Sequence, residues 1–178
     1  MDKEDKRQWF VLRVRSRAEK KVLRSLTDDG IEAYLPIQKV LRQWSDRKKL
    51  IDVPVVTCYV FVRVTNRGAD YIAALKRDNV LRFMCEEGKP IPIRDSQIAA
   101  LKLMLNQDEI VVDITREMLR KGQTVEIIEG PCVGLCGELV SVNRKNKVAI
   151  CIDAISHTFM IDAPIDKLAI IKKRRPAK

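Results

Sequence analysis

The stretch WFVLRVRSRAEKKVLRSLTDDG (residues 9–30) changes its period halfway along. Its first part, WFVLRV (9–14), is apolar with charge on one side, which predicts a strand. Beyond it, apolar residues recur at Ala18, Val22 and Leu26, Leu23 widens that stripe, and Arg17, Lys21 and Arg24 fall on another face. This is the 3.6-residue period of an amphipathic helix with a basic outer side. Ser16 and Glu19 have the S-x-x-E spacing of a capping box, and Gly30 suits the left-handed position after a helix end. The spacing therefore predicts a helix over 17–29.

Working outward, IEAYLPI (31–37) alternates as a strand does. QKVLRQWSDRKKLIDVP (38–54) carries five basic residues against two acids, with WSDRKK expected at the tip of a hairpin or in a mobile loop. VVTCYVFVRV (55–64) is β-branched and aromatic on both faces, as a central strand requires. ADYIAALKR (69–77) predicts a short helix, VLRFM (80–84) a strand, EEGKPIPI (86–93) a turn and a short edge segment, and DSQIAALKLML (95–105) a helix capped by Asp95 or Ser96. The order β-α-β-β-α-β with a trailing helix predicts an α+β domain of the split βαβ kind, a four-stranded antiparallel sheet with helices on one face. Tyr59 and Phe61, two apart, share a sheet face. With Phe83 they fit either a core beneath the helices or an apolar depression that a partner helix fills.

From 106 to 121 the chain is polar and irregular, and the domain boundary is expected there. QTVEII, GELVSV, KVAICI, HTFMID and DKLAII then follow as five short strands separated by turn residues, which predicts a small β-barrel. The expected division is a first domain over 1–108, a linker over 109–119, a barrel over 120–171 and a basic tail over 172–178.

The barrel contains GPCVGLCGELV (130–140), whose two cysteines raise the question of a metal or redox site. Cys132, Cys136, Cys151 and His157 would supply four donors, but C-x3-C is not the C-x2-C spacing of zinc knuckles or redox dithiols. The alternative is a tight turn in which Gly130, Gly134 and Gly137 take positive-φ or close-approach positions and Cys and Val fill the gaps. That reading is preferred, and no metal is expected. No P-loop, G-x-S-x-G, H-E-x-x-H or dinucleotide fingerprint occurs, and His157 stands alone between Ser156 and Thr158. No enzymatic activity and no cofactor are expected.

The net charge of +10 is unevenly spread. Residues 1–108 carry 22 Lys/Arg against 15 Asp/Glu, 109–119 one against three, 120–171 six of each sign, and the terminal KKRRPAK five positive charges. The basic front suits a polyanion. No apolar run reaches the length of a membrane span, and five cysteines without an export signal suit a reduced cytoplasmic protein.

GQTVEIIEGPCVGLCGELVSV (122–142) resembles the KOW motif, with Gly130, Pro131, Gly134 and Gly137 as its turn. WFVLRVRSRAEKKV, GIEAYLP, RQWSDRKK, VPVVTCYVFVRV and VLRFM…GKP resemble, in order, the N-terminal (NGN) domain of NusG-type transcription elongation factors. RQWSDRKK is most similar to the specialised paralogues of Bacteroidetes that antiterminate surface-polysaccharide operons, the UpxY type, with RfaH a more distant relative. The resemblance implies a monomer whose first domain docks an apolar depression on the clamp helices of the RNA polymerase β′ subunit and contacts upstream DNA or the non-template strand, so that pausing and termination fall. By motif position it assigns Tyr59, Phe61 and Phe83 to the polymerase. It assigns the loop with Arg42, Trp44, Arg47, Lys48 and Lys49 to nucleic acid. In this sequence Cys58 stands where the family has glycine before the tyrosine. Cys132 stands for an aromatic in the region that meets Rho and a ribosomal protein in general NusG. A second reading is a KOW-bearing RNA-binding or ribosome-associated protein, which a charge-neutral barrel disfavours.

Overall fold

In the computed structural model, residues 6–43, 48–106, 112–116, 122–142 and 145–171 are described. They fall into two compact units, Met1–Asp95 and Ser96–Lys178. The division lies at the start of the helix that the sequence reading assigned to the end of the first domain.

In the first unit, β1 (Arg7–Val14), α1 (Glu19–Asp28), β2 (Glu32–Tyr34), β3 (Ile37–Gln43), β4 (Lys48–Pro54), β5 (Tyr59–Thr65), α2 (Ala69–Leu75) and β6 (Val80–Phe83) follow one another, ending with the short strands β7 (Cys85–Glu86) and β8 (Lys89–Pro90). The sheet order is β2-β5-β1-β6, and its pairs are antiparallel. This is the split βαβ arrangement read from the sequence, with β5 central as its apolar faces demand. β3 and β4 form a separate hairpin, as do β7 and β8.

Register assigns the faces. Phe10 lies opposite Val62, and Leu12 opposite both Val60 and Phe83. These residues form one core with Val22 and Leu26 of α1 and Ala74 of α2. Both helices thus cover one face, and their burial is the main apolar term holding this unit together.

The capping box does not form. α1 begins after Ala18 with no side-chain cap, and Glu19 is instead buried, 4% exposed, with its carboxylate on the Cys58 N–H. The S-x-x-E spacing was met, but the helix starts two residues later than the box requires: with Ala18 as N-cap, Glu19 is the first helical residue and not the third, and its carboxylate serves an amide across the fold instead.

The second unit contains α3 (Asp95–Leu105), whose first residue closes the preceding unit, then β9 (Val112–Thr115), β10 (Thr124–Ile127), β11 (Cys136–Val142), β12 (Lys145–Ile152), β13 (His157–Asp162) and β14 (Leu168–Ile170). They make a six-stranded antiparallel sheet in the order β14-β10-β11-β12-β13-β9. The five strands expected from the sequence are present, and β9, from the stretch expected to be linker, adds a sixth beside β13. An ion triad fastens it. The Lys147 ammonium, on a residue 7% exposed, donates to Asp113 of β9 and Asp162 of β13, both at 2.5 Å. α3 contributes a hydrogen bond from Gln97 Nε2 to the Cys151 carbonyl at 2.6 Å.

The triad predicts an acid-labile strand. The hydrogen bond from Lys147 holds the Asp162 carboxyl below its ordinary 3.8. A depressed carboxyl stabilises the fold above its unfolded pKa, and that contribution is lost as pH falls through the lower folded value. Hydrogen exchange at β9 and β13 should therefore accelerate as pH falls below about 4, after correction for intrinsic rates, and Lys147→Met should flatten this dependence. Equal profiles for wild type and variant would contradict it.

Candidate functional site

The sheet face turned away from α1 and α2 carries the other half of each strand's alternation. Across it, register aligns three rows. Arg63 of β5 lies opposite Trp9, which bridges to Ile93. Tyr34, Phe61 and Val11 follow one another across β2, β5 and β1. Tyr59, Arg13 and Arg82 cross β5, β1 and β6 at the far end. Trp9, Val11 and Phe61 are buried. The Tyr34 and Phe61 ring centroids are 6.2 Å apart, and burial pushes the Tyr34 hydroxyl up to about 12. The row of Tyr59, Arg13 and Arg82 is different. Tyr59 is half-buried, and both arginines are exposed.

The three aromatics assigned by motif position therefore do not lie together. Phe83 is 2% exposed and on the helix side. There it stacks on Tyr71 at 3.8 Å and meets Phe10 edge-on at 6.2 Å. A strand's alternation decides this: Phe83 pairs with Leu12, which points under the helices. Phe61 shares a face with Tyr59 but is 0% exposed. In place of an open hollow lined by three rings, the outward row holds one half-buried tyrosine, Tyr59, next to the exposed Arg13, with Arg82 beyond it on β6.

Sequence reasoning missed those two residues. Arg7, Arg24, Arg63 and Arg77 each face a carboxylate, on Asp70, Asp28, Glu32 and Asp95, and Asp29 respectively. Arg13 and Arg82 form no ion pair among the described residues, although they stand directly opposite one another. Like charges in register on a sheet destabilise it, so the pair is retained at a cost to the free protein. The alternation of WFVLRV marks Arg13 as outward-facing, but its pairing with Arg82 needs the β1–β6 register.

On the hairpin, Arg42 of β3 lies opposite Lys49 of β4, and Gln43 opposite Lys48. Lys48 and Lys49 are exposed. Trp44 and Arg47 lie outside the described residues. The structure thus brings Arg42, Lys48 and Lys49 to the same end of one hairpin.

In the second unit, Gly130 and Gly134 adopt φ of +98° and +84°, which excludes most side chains. Gly137 sits on β11 where an added Cβ would lie 2.6 Å from Val148 Cγ1 and 2.8 Å from the Ala149 carbonyl oxygen. Pro131 is exposed in the turn between them. Cys132 is buried and its thiol is pushed up by burial, Cys136 is exposed, and Cys151 and His157 are half-buried on β12 and β13. His157 Nδ1 lies 2.5 Å from the Ile155 carbonyl oxygen. No group of three metal-ligating side chains occurs among the described residues. Nor does any helix among them have the length and apolarity to cross a membrane.

Residues 7–102 match the family model described as transcription termination factor NusG. The transcription termination/antitermination protein NusG of Streptococcus pyogenes serotype M3 is 25% identical over 173 residues, covering 90% of this chain and 94% of its own. The serotype M1 protein aligns with the same identity and coverage. Among solved structures, one described as domain interaction in Thermotoga maritima NusG covers 94% of this chain and 98% of its own at 20% identity, with a TM-score of 0.47. The family match spans more than half of the sequence and the whole of the sheet that carries Tyr59, Arg13 and Arg82, and on that match this chain belongs to the NusG family of transcription termination factors.

Proposed function

We propose that the chain is a transcription antitermination factor that docks the Tyr59 end of its first sheet on the clamp helices of RNA polymerase. Family membership supports the polymerase as partner. The observation that carries the docking surface is the row of Tyr59, Arg13 and Arg82, a half-buried tyrosine next to Arg13 with Arg82 beyond it, both arginines exposed and without acid partners among the described residues. Aromatic and arginine side chains are the usual anchors of a protein interface. The β3–β4 hairpin, with Lys48 and Lys49 exposed, contacts upstream DNA or the non-template strand. By the resemblance of RQWSDRKK the protein serves surface-polysaccharide operons, by that of residues 122–142 it carries a KOW barrel in its second unit, and it acts in the cytoplasm. Cys132, in place of an aromatic, weakens the case for Rho or a ribosomal protein as partner there.

The test is a binding titration of the full chain with core polymerase. Tyr59→Ala should weaken binding at least about tenfold, the equivalent of roughly 1.4 kcal/mol. Binding to naked RNA that depends on the basic residues and ignores Tyr59 would favour the RNA-binding reading instead.

Arg82→Glu separates stability from function. Opposite Arg13 it turns a like-charge pair into an attractive one, so the free protein should gain about 0.2–1 kcal/mol in urea unfolding. Polymerase binding should nonetheless fall, because the charge offered to the partner is reversed. A variant that is more stable and binds equally well would show that this row faces solvent in the complex.

A further inference from the structure

Cys58 is the residue before Tyr59, and it adopts φ of +68°. A side chain rarely tolerates that left-handed conformation, which glycine takes without strain. Two hydrogen bonds hold it there. Its carbonyl accepts from the Val14 N–H at 2.9 Å. Its own N–H donates to Glu19 Oε1 at 2.7 Å, across 39 residues of sequence. The acceptor is a carboxylate at the first turn of α1, where an acid ordinarily sits exposed to complement the helix end. Here it is 4% exposed.

A buried carboxylate committed to one backbone amide is a strong, short-range constraint. It fixes the peptide plane between Thr57 and Cys58, and the Val14 bond fixes the plane after it. Tyr59, the first residue of β5, inherits its direction from both. Without the carboxylate, the Cys58 amide loses its partner and the residue can relax towards negative φ. That rotation turns the Tyr59 ring off the row it shares with Arg13 and Arg82.

We propose that Glu19 is a positioning residue for Tyr59: its carboxylate holds the strained Cys58 and so sets the ring that meets the polymerase. The inference rests on the docking surface proposed above. Glu19 itself is buried and acts on the partner only through Tyr59.

The experiment compares wild type, Glu19→Ala, Glu19→Gln, the double variant Glu19→Ala with Cys58→Gly, and Tyr59→Ala. Two readouts are taken on the full chain: affinity for core polymerase, and NMR signals of the Cys58 amide and the Tyr59 ring in the free protein. Glu19→Ala should move both sets of signals and weaken polymerase binding about tenfold, the scale of one lost charge-assisted contact. Glu19→Gln retains an acceptor for the Cys58 N–H, so it should keep most of the affinity even where the alanine variant folds poorly. Adding Cys58→Gly to Glu19→Ala should return the Tyr59 signals and most of the affinity, because glycine adopts the left-handed conformation unaided. A purely structural role predicts no such rescue. Unmoved Tyr59 signals in Glu19→Ala, or a double variant as weak as the single one, would overturn the proposal. If wild type and Tyr59→Ala bind polymerase equally, the docking surface fails, while the NMR arm still decides whether Glu19 positions the ring.

Discussion

Phe61→Ala is expected to destabilise the first unit by about 3–5 kcal/mol. The ring is fully buried between Tyr34 on β2 and Val11 on β1, in the middle of a four-stranded sheet. Truncation removes the whole transfer free energy of the ring and leaves a cavity that strands on both sides cannot close. Urea unfolding followed by the fluorescence of Trp9, buried on the same face, reads this loss. Tyr59→Ala, at a half-exposed position, should cost well under half as much. The contrast matters for any binding study, since lost polymerase binding by Phe61→Ala reports unfolding and says nothing about contact. A change below about 1 kcal/mol would mean that Phe61 is not the core residue its burial makes it.

Gly137→Ala should unfold the second unit's sheet locally at a cost of about 2–3 kcal/mol. Gly137 lies on β11 opposite Val125 of β10, and an added Cβ would meet the Ala149 backbone of β12 at 2.8 Å. A side-chain end can swing aside, but a carbonyl in a paired strand moves only if the ladder opens. Every Trp and Tyr of the chain precedes residue 96, so fluorescence will not report this event. Amide exchange of β11 and β12 will, and should rise in the variant while that of β1 and β5 stays unchanged. Exchange identical to wild type would show that the close approach is relieved by a small shift. Gly130→Ala would act differently, through positive φ alone, because nothing lies within 4 Å of its would-be Cβ.

The fold was legible where period and neighbours agreed. The strand-to-helix switch at residues 9–30, the central strand before Thr65 and the helix at 95–105 all have patterns with one solution. What failed required knowledge of pairing. Phe83 reads as one more aromatic beside Tyr59 and Phe61 until the Leu12 register turns it under the helices. Glu19 reads as a helix cap until the fold brings the Cys58 amide, 39 residues away, within 2.7 Å. β9 did carry a β-branched signal in IVVDIT (110–115), masked by the polar residues on either side of it, and the fold completes it where Asp113 meets Lys147 and β13 offers an edge. Arg13 was visible as an outward-facing charge, but only Arg82 across the sheet makes it unusual. The glycines at 130, 134 and 137 did carry their own signal, since neither a positive φ nor a backbone at contact distance admits many residues.

The most direct measurement places a photo-crosslinking amino acid at position 59 and illuminates the full chain with core polymerase. An adduct is expected on the helical clamp hairpin of the β′ subunit, lost when the same group sits at the buried position 83. Adducts on another subunit, or none while the protein still binds, would contradict the claim that the Tyr59 end of this sheet is what meets the enzyme.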